Sequence, residues 1–232
     1  EFNYGFLAAE PIKEFLKAAN ILWLPPQPKS VFLVGRAAYD FYGNKTKYFG
    51  APARPNFVPS YGDPVSDTWF VIWDTTGASI PQMGIGRLPV RTVEEFQFYF
   101  EKHKKYFVQT YDDWNKKYLF FSGGNFTNPS QLASLRSVND EIVASIVKPP
   151  PVGGIAHHFF KTADPITNFG PYAPSEITSA IEGGAVFISY IGHSGTETWD
   201  NSITDPAQLN NTQNRLPLIT DFGCSTAKSA EP

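Results

Sequence analysis

Short apolar runs alternate along this chain with segments whose apolar residues recur every three or four positions. The runs are rich in β-branched and aromatic residues, are bounded by Gly, Pro, Asn or Asp, and predict strands. They span residues 31–34, 69–73, 83–87, 118–122, 155–160, 185–191 and 216–222. The helical pattern covers residues 8–19, 92–106, 130–147 and 176–181, with a helix-like piece at 206–210. This alternation predicts an α/β fold with a mostly parallel sheet and helices on both faces.

The last two predicted strands each end in a reactive side chain. His193 follows one strand within Gly192-His193-Ser194-Gly195, and Cys224 follows the other directly after Gly223. Ligands bind at the carboxyl ends of strands in open α/β sheets, and neighbouring strands lie about 5 Å apart. An imidazole can convert a thiol into the nucleophilic thiolate. The pattern therefore predicts a His193–Cys224 dyad; the alternative is that Cys224, the only cysteine, is a small buried hydrophobic residue.

The stretch around these two residues resembles the gingipain-type cysteine peptidases of family C25, which include the sortase of the type IX secretion system. The resemblance rests on YIGHSGTETW at residues 190–199 and LPLITDFGC at residues 216–224. IGRLPVRT at residues 85–92 supports it independently, as do residues 31–35 and 66–70. Histidine precedes cysteine here, which suits the caspase–gingipain arrangement and not the papain arrangement.

This resemblance implies a caspase-like α/β/α sandwich with mostly parallel sheets in two side-by-side subdomains. It implies an oxyanion hole formed by the backbone N–H groups of Ser194 and Cys224. By the same resemblance, catalysis should require no cofactor, and a structural calcium ion is possible. No loop, however, has a convincing calcium-ligand pattern. The implied location is secreted or at the cell surface, in association with a bacterial outer membrane.

The segment that follows residues 118–122 departs from the family pattern. Relatives typically carry an acid after the strand that corresponds to residues 118–122, where it orients the histidine. This chain has Gly123, Gly124 and Asn125 there. Asn125 is therefore the candidate for orienting His193, as asparagine does in papain-like triads, with a backbone carbonyl as the alternative.

Three functions are compatible with this pattern. The first is a cysteine endopeptidase that cleaves peptide bonds through a thioester on Cys224. The second is a sortase or transpeptidase of the type IX secretion system, in which an amine replaces water at the thioester. The third is a catalytically inactive assembly module that keeps the fold. Residues 118–139 contain no Asp or Glu, so the strict preference of the arginine-specific gingipains for a basic substrate side chain is not expected.

The 232 residues are sufficient for one large or two small domains. Asp112-Asp113-Trp114-Asn115 predicts the boundary, with a first α/β subdomain over residues 1–112 and a catalytic subdomain over residues 113–232. We expect the first to be truncated at its N terminus and the second to be truncated after the nucleophile. The predicted partners are therefore a protein or peptide substrate and the remaining domains of a longer chain.

Composition argues against several other classes of protein. A net charge of −3 offers no basic surface for nucleic acid. No run approaches the roughly 18–20 apolar residues of a membrane helix, and the opening Glu1-Phe2-Asn3 predicts no signal peptide. No metal site is predicted, because Asp112 and Asp113 indicate a solvated turn and because His157 and His158 should point to opposite faces of a strand.

Overall fold

A computed structural model describes residues 4–73, 76–77, 79–163, 171–195, 199–201, 206–211, 213–224 and 226. The helices within these ranges are α1 Glu10–Leu22, α2 Asn44–Phe49, α3 Val93–Phe107, α4 Pro129–Ile142 and α5 Pro174–Glu182. The strands are β1 Ser30–Val34, β2 Gly84–Leu88, β3 Lys117–Ser122, β4 Ile155–Phe160, β5 Phe187–Ile191 and β6 Leu218–Phe222. Shorter helical turns lie at Thr68–Val71, Asp113–Lys116, Val143–Val147 and Pro206–Gln208.

All pairings between these strands are parallel. β1 pairs with β2, and the other four strands form a second sheet in the order β4-β3-β5-β6. Parallel neighbours need long crossover connections, and the helices between consecutive strands, such as α4 between β3 and β4, provide them. The predicted α/β fold with mostly parallel strands is therefore confirmed.

The described residues divide between Tyr99 and Phe100 into two compact units. The first unit contains β1 and β2 together with α1 and α2, and the second contains the four-stranded sheet with α4 and α5. This division falls within α3. The boundary predicted from the sequence, between residues 112 and 113, lies after that helix.

The inner strand β3 of the second unit's sheet is covered on both faces. Phe120 and Phe121 are neighbours in β3, so their side chains point to opposite faces, and both are fully buried. Phe120 packs with Val143 and with Val147 in the π-helical turn that continues α4. Phe121 belongs to a cluster that includes Ile177 of α5. Because helices pack against both faces of β3, its side chains are buried on either face. This explains why consecutive residues of the strand are apolar.

The predicted strand at residues 69–73 is wrong. Residues Thr68–Val71 form a 3₁₀ turn, in which the Phe70 N–H donates to the Asp67 carbonyl at 3.0 Å. Phe70 and Val71 are fully buried in a cluster with Leu16 of α1. A short apolar run that is buried on all sides has the same composition whether it is extended or helical, so periodicity could not separate the two states.

A single arginine connects the segments of the first unit. The Arg87 side chain, in β2, is only 5% exposed and forms an ion pair with Asp67 at 2.6 Å. The same guanidinium donates to the carbonyls of Gly35 and Val58, both at 2.7 Å. These bonds join the end of β1, the loop that follows it and the turn before β2. The IGRLPVRT motif therefore has a structural role at this position.

His157 and His158 point to opposite faces of β4, as the sequence indicates. His158 lies 2.8 Å from both Asp140 Oδ1 and Ser122 Oγ, so it ties α4 to the sheet, and burial lowers its pKa below the ordinary value. His157 is exposed. Among the described residues, no group of three or more His, Cys, Asp or Glu side chains could hold a metal ion. None of the helices in these ranges has the length and apolar content that a bilayer crossing requires.

Candidate active site

The carboxyl ends of β5 and β6 bring the two predicted reactive residues to the same edge of the sheet. Ile191 pairs in register with Phe222, and His193 and Cys224 each follow their strand's last residue by two positions. Both side chains are exposed, so the thiol does not lie in the apolar interior. The Ser194 hydroxyl donates to the Cys224 carbonyl and joins the two loops directly.

The backbone of the histidine loop rests on Tyr190 and Asp200. The Tyr190 hydroxyl lies within hydrogen-bond distance of the His193 carbonyl and 2.6 Å from Asp200 Oδ1. The Asp200 N–H also donates to the His193 carbonyl, at 3.1 Å. Burial raises the pKa of Tyr190 far above its ordinary value, and its hydrogen bond to Asp200 raises it further. The phenol therefore stays protonated and can donate throughout the physiological pH range.

Two glycines leave space for the Tyr190 and Asp200 side chains beneath the histidine loop. Gly123 follows β3 directly, and a Cβ built on it would overlap the Asp200 carboxylate. Gly192 follows β5, and a Cβ there would lie 2.6 Å from the Tyr190 hydroxyl and 2.9 Å from the Gly123 Cα. Asp200 Oδ2 also accepts the Gly124 N–H at 2.8 Å. The absence of side chains at the ends of β3 and β5 thus lets one carboxylate bind both the Gly124 N–H after β3 and the Tyr190 hydroxyl of β5.

We predict that Gly123→Ala destabilises the protein by about 1–3 kcal/mol, because the added methyl group displaces Asp200 from a packed position. Gly86→Ala is the matched control, since a Cβ at Gly86 would lie 3.9 Å from the nearest side-chain atom, on Phe32. Urea unfolding of both variants measures the difference. Equal losses of stability in the two variants would contradict the packing described at Gly123.

Among the residues that the structure describes, the Gln131 side chain contacts the imidazole of His193. Its Oε1 atom lies 3.1 Å from His193 Nε2 and accepts the Asn125 N–H at 2.8 Å. Because an amide oxygen only accepts, this contact assigns the proton to Nε2 and leaves Nδ1 as the basic nitrogen of a neutral ring. Gln131 lies in the first turn of α4, and its N–H donates to Asn128 Oδ1 at 3.1 Å.

Asn125, the predicted histidine-orienting residue, uses its side chain within its own turn. Its Oδ1 accepts the Thr127 N–H at 3.0 Å and the Thr127 hydroxyl at 2.9 Å. The Asn125 carbonyl accepts the Asn128 N–H at 2.8 Å, so this residue shapes the loop that leads into α4. The contact with His193 therefore comes from Gln131 instead, and Asn125 contributes only a backbone N–H to the same oxygen atom.

The turn before Cys224 is held by Asp221. Its Oδ1 accepts the Gly223 N–H at 2.7 Å, and its Oδ2 accepts the Trp199 indole N–H at 2.7 Å. The backbone N–H groups of Ser194 and Cys224, the predicted oxyanion donors, have no hydrogen-bond partner in the part of the chain that the structure describes.

Sequence reasoning did not identify Gln131, Tyr190 and Asp200 as parts of this site. A signal for Gln131 was present, because Asn128 and Gln131 have the spacing of a capping box, in which the glutamine turns back towards the preceding loop. Gln131 does turn back, but it reaches Asn125 and His193. Tyr190 and Asp200 border the histidine motif, and no local pattern indicates that they contact each other.

Comparison with known proteins finds a family model and solved structures that match this chain. A family model described as peptidase family C25 matches residues 1–232. The chain is 20% identical to the complex of the pro- and mature domains of RgpB from Porphyromonas gingivalis, with a TM-score of 0.64 over 94% of this chain and 46% of that chain. It is 21% identical to the Arg-specific cysteine proteinase gingipain R (RgpB), with a TM-score of 0.64 over 94% of this chain and 45% of that chain. No curated protein matches the chain.

These matches decide the fold. The chain spans slightly less than half the length of the solved structures it matches. At this level of identity the likeness establishes the architecture alone. The predicted caspase-like α/β/α fold class with mostly parallel sheets is confirmed, as is the resemblance to the gingipain-type peptidases.

Proposed function

Because this chain belongs to peptidase family C25, we propose that it carries the reaction centre of a cysteine endopeptidase, with Cys224 as the nucleophile and His193 as its base. The register of β5 and β6 is the observation that carries this proposal. Their last paired residues, Ile191 and Phe222, each lie two positions before a reactive side chain, and paired strands are about 5 Å apart. Both side chains are exposed to a substrate.

The proposed reaction begins with transfer of the Cys224 thiol proton to His193. The thiolate sulfur attacks the carbonyl carbon of the scissile peptide bond, and the carbonyl electrons move to its oxygen. The N–H groups of Ser194 and Cys224 donate to that oxyanion. When the intermediate collapses, the C–N bond breaks, His193 gives its proton to the leaving amine, and a thioester remains on the sulfur. Water then attacks the thioester and regenerates the thiol.

Gln131 would hold the ring for this transfer. Its contact with Nε2 leaves Nδ1 with the lone pair that must accept the thiol proton. An amide fixes the orientation and tautomer of the ring without adding a negative charge beside it. This chain would therefore orient the histidine with a neutral amide from α4, in place of the acid that relatives typically carry directly after β3, and we assign Gln131 a positioning role.

The substrate class that fits is a protein or peptide. The stretch from residue 118 to residue 139 lacks Asp and Glu, so we expect no strict requirement for Arg or Lys at the cleavage site. We also propose, by resemblance to the family, that the protein acts outside the cell or at its surface, together with further domains.

The proposal is tested by the rate at which iodoacetamide alkylates Cys224. At neutral pH a free thiol is only a few per cent thiolate, so a thiol ionised by His193 should react about tenfold faster or more. His193→Ala should reduce the rate to that of an unassisted thiol, and Gln131→Leu should give an intermediate rate because the ring keeps its basicity and loses its anchor.

His157→Ala is the matched control for this experiment. It removes an exposed imidazole from β4 and should leave the rate unchanged. Slow labelling that is equal in the parent and in His193→Ala would refute the dyad and favour the inactive assembly module. A normal rate in Gln131→Leu would refute the positioning role alone.

A further inference from the structure

The first unit contains a cavity that the proposed peptidase reaction does not use. Its volume is about 310 Å³, and it is lined by the loop after β1, from Ala38 to Arg54, together with Asn56. The loop is anchored at the carboxyl end of this sheet, where the Arg36 N–H donates to the Val90 carbonyl at 3.0 Å, just beyond β2. The Ala38 N–H donates to Asn56 Oδ1 at 3.2 Å and closes the loop. In α/β sheets ligands bind at this end of the strands.

This loop concentrates positive charge in a chain whose net charge is negative. Residues 36–56 contain two arginines and two lysines against one carboxylate, a net charge of +3, whereas the whole chain has a net charge of −3. The carboxylate, Asp40, already accepts the N–H groups at the start of α2: Oδ1 accepts that of Asn44 at 2.7 Å, and Oδ2 accepts that of Lys45 at 2.8 Å. Asp40 also lines the cavity, and these two backbone donors compensate part of its negative charge.

Two of these cations lie over aromatic rings. Lys45 Nζ is 5.4 Å from the centre of the Tyr39 ring, and Lys47 Nζ is 5.1 Å from that of Tyr48. No ion pair joins either lysine to a carboxylate within the described ranges. Repulsion from Arg54 adds to burial in lowering the pKa of Arg36, so the positive charges of the loop act on one another. An anion placed between them would relieve this repulsion.

We propose that this cavity binds a small organic anion whose carboxylate or phosphate group is held by Lys45, Lys47 and Arg54. The walls formed by Tyr39 and Phe41 would contact a planar or apolar body. The volume lies at the lower limit of known ligand pockets, about 300–1,000 Å³, which restricts the ligand to roughly the size of a substituted ring. The cation–π contacts of Lys45 and Lys47 suit such a ligand, because they hold the two ammonium groups beside aromatic rings. A ligand with an anionic group and an apolar body could contact both.

Calorimetric titration with three probes of similar shape tests this site. Benzoate and phenyl phosphate should bind the protein, and benzamide, which has the shape of benzoate without the charge, should not. Lys47→Gln and Arg54→Gln should each weaken binding of the charged probes by about tenfold, the value of one charge-assisted hydrogen bond. Raising the salt concentration should weaken binding further, because these side chains are exposed.

Lys148→Gln is the matched control, since it removes an exposed lysine outside the cavity and should leave the affinity unchanged. The rate of Cys224 alkylation should also be the same in all these variants, so that failure of this site and failure of the dyad can be told apart. Tighter binding of phenyl phosphate than of benzoate would identify phosphate esters as the ligand class, and the reverse would identify carboxylates.

Three results would overturn the proposal. The first is equal binding of benzoate and benzamide, which would show that charge is not recognised. The second is equal weakening by Lys47→Gln and Lys148→Gln, which would show non-specific attraction. The third is no binding of any probe to a folded parent protein. Lys47 lies on the exposed surface of α2, so Lys47→Gln should fold and keep the test decisive even if Arg54→Gln does not.

Discussion

Cys224→Ser should reduce the proposed peptide-bond cleavage by about three orders of magnitude or more, because a serine hydroxyl at this position is far less acidic than a thiol and His193 cannot ionise it. The side chain is exposed and the two residues are similar in size, so the fold should not change. Hydrolysis of an unfolded protein substrate measures the loss. His193→Ala should cause a similar loss, and the double variant should be no worse than either single variant, because the two groups act as a unit.

Multiplicative losses in the double variant would contradict the dyad, since they would indicate independent contributions. Residual cleavage in Cys224→Ser at the level of the parent would contradict the assignment of the nucleophile. Adding a labelled amine to the parent reaction separates the two enzymatic alternatives. A product joined to the amine indicates a transpeptidase or sortase, and a product with a free carboxylate indicates an endopeptidase.

Arg87→Met should reduce the free energy of unfolding by about 3–5 kcal/mol, the usual result of removing one partner from a buried ion pair. The variant leaves the Asp67 carboxylate and the carbonyls of Gly35 and Val58 without their shared donor. Arg87→Lys should recover only part of the loss, because a single ammonium group cannot reproduce the bidentate geometry. Denaturant unfolding followed by tryptophan fluorescence gives these values.

Arg91→Met provides the control within the same motif. Arg91 forms an ion pair with Glu95 at 2.7 Å, but its side chain is 57% exposed, against 5% for Arg87. Water screens the exposed pair, so its loss should change stability little. A comparable loss of stability in both variants would contradict the conclusion that burial at Arg87 gives the motif its structural role.

Particular residues show how far the sequence could be used for prediction. The runs at β3 and β5 were identified because a parallel strand buried on both faces is apolar along its whole length. The run at residues 69–73 has the same property and is a 3₁₀ turn, because Phe70 and Val71 are enclosed without strand partners. Asn125 was the reasonable candidate beside His193 by analogy with other triads. Gln131 makes the contact instead, because its longer side chain extends from the first turn of α4 back to the imidazole.

Sequence alone indicated the family and the α/β class, and it placed the two predicted reactive residues after strand ends, because periodicity, composition and short motifs are local properties of the chain. Tertiary structure decided which side chains support them. Gln131 and His193 are 62 positions apart, and Gly124 and Asp200 are 76 positions apart. Such contacts depend on the order and register of β3, β5 and β6. Packing of the whole sheet against its helices sets that order and register, so no short stretch of sequence can predict them.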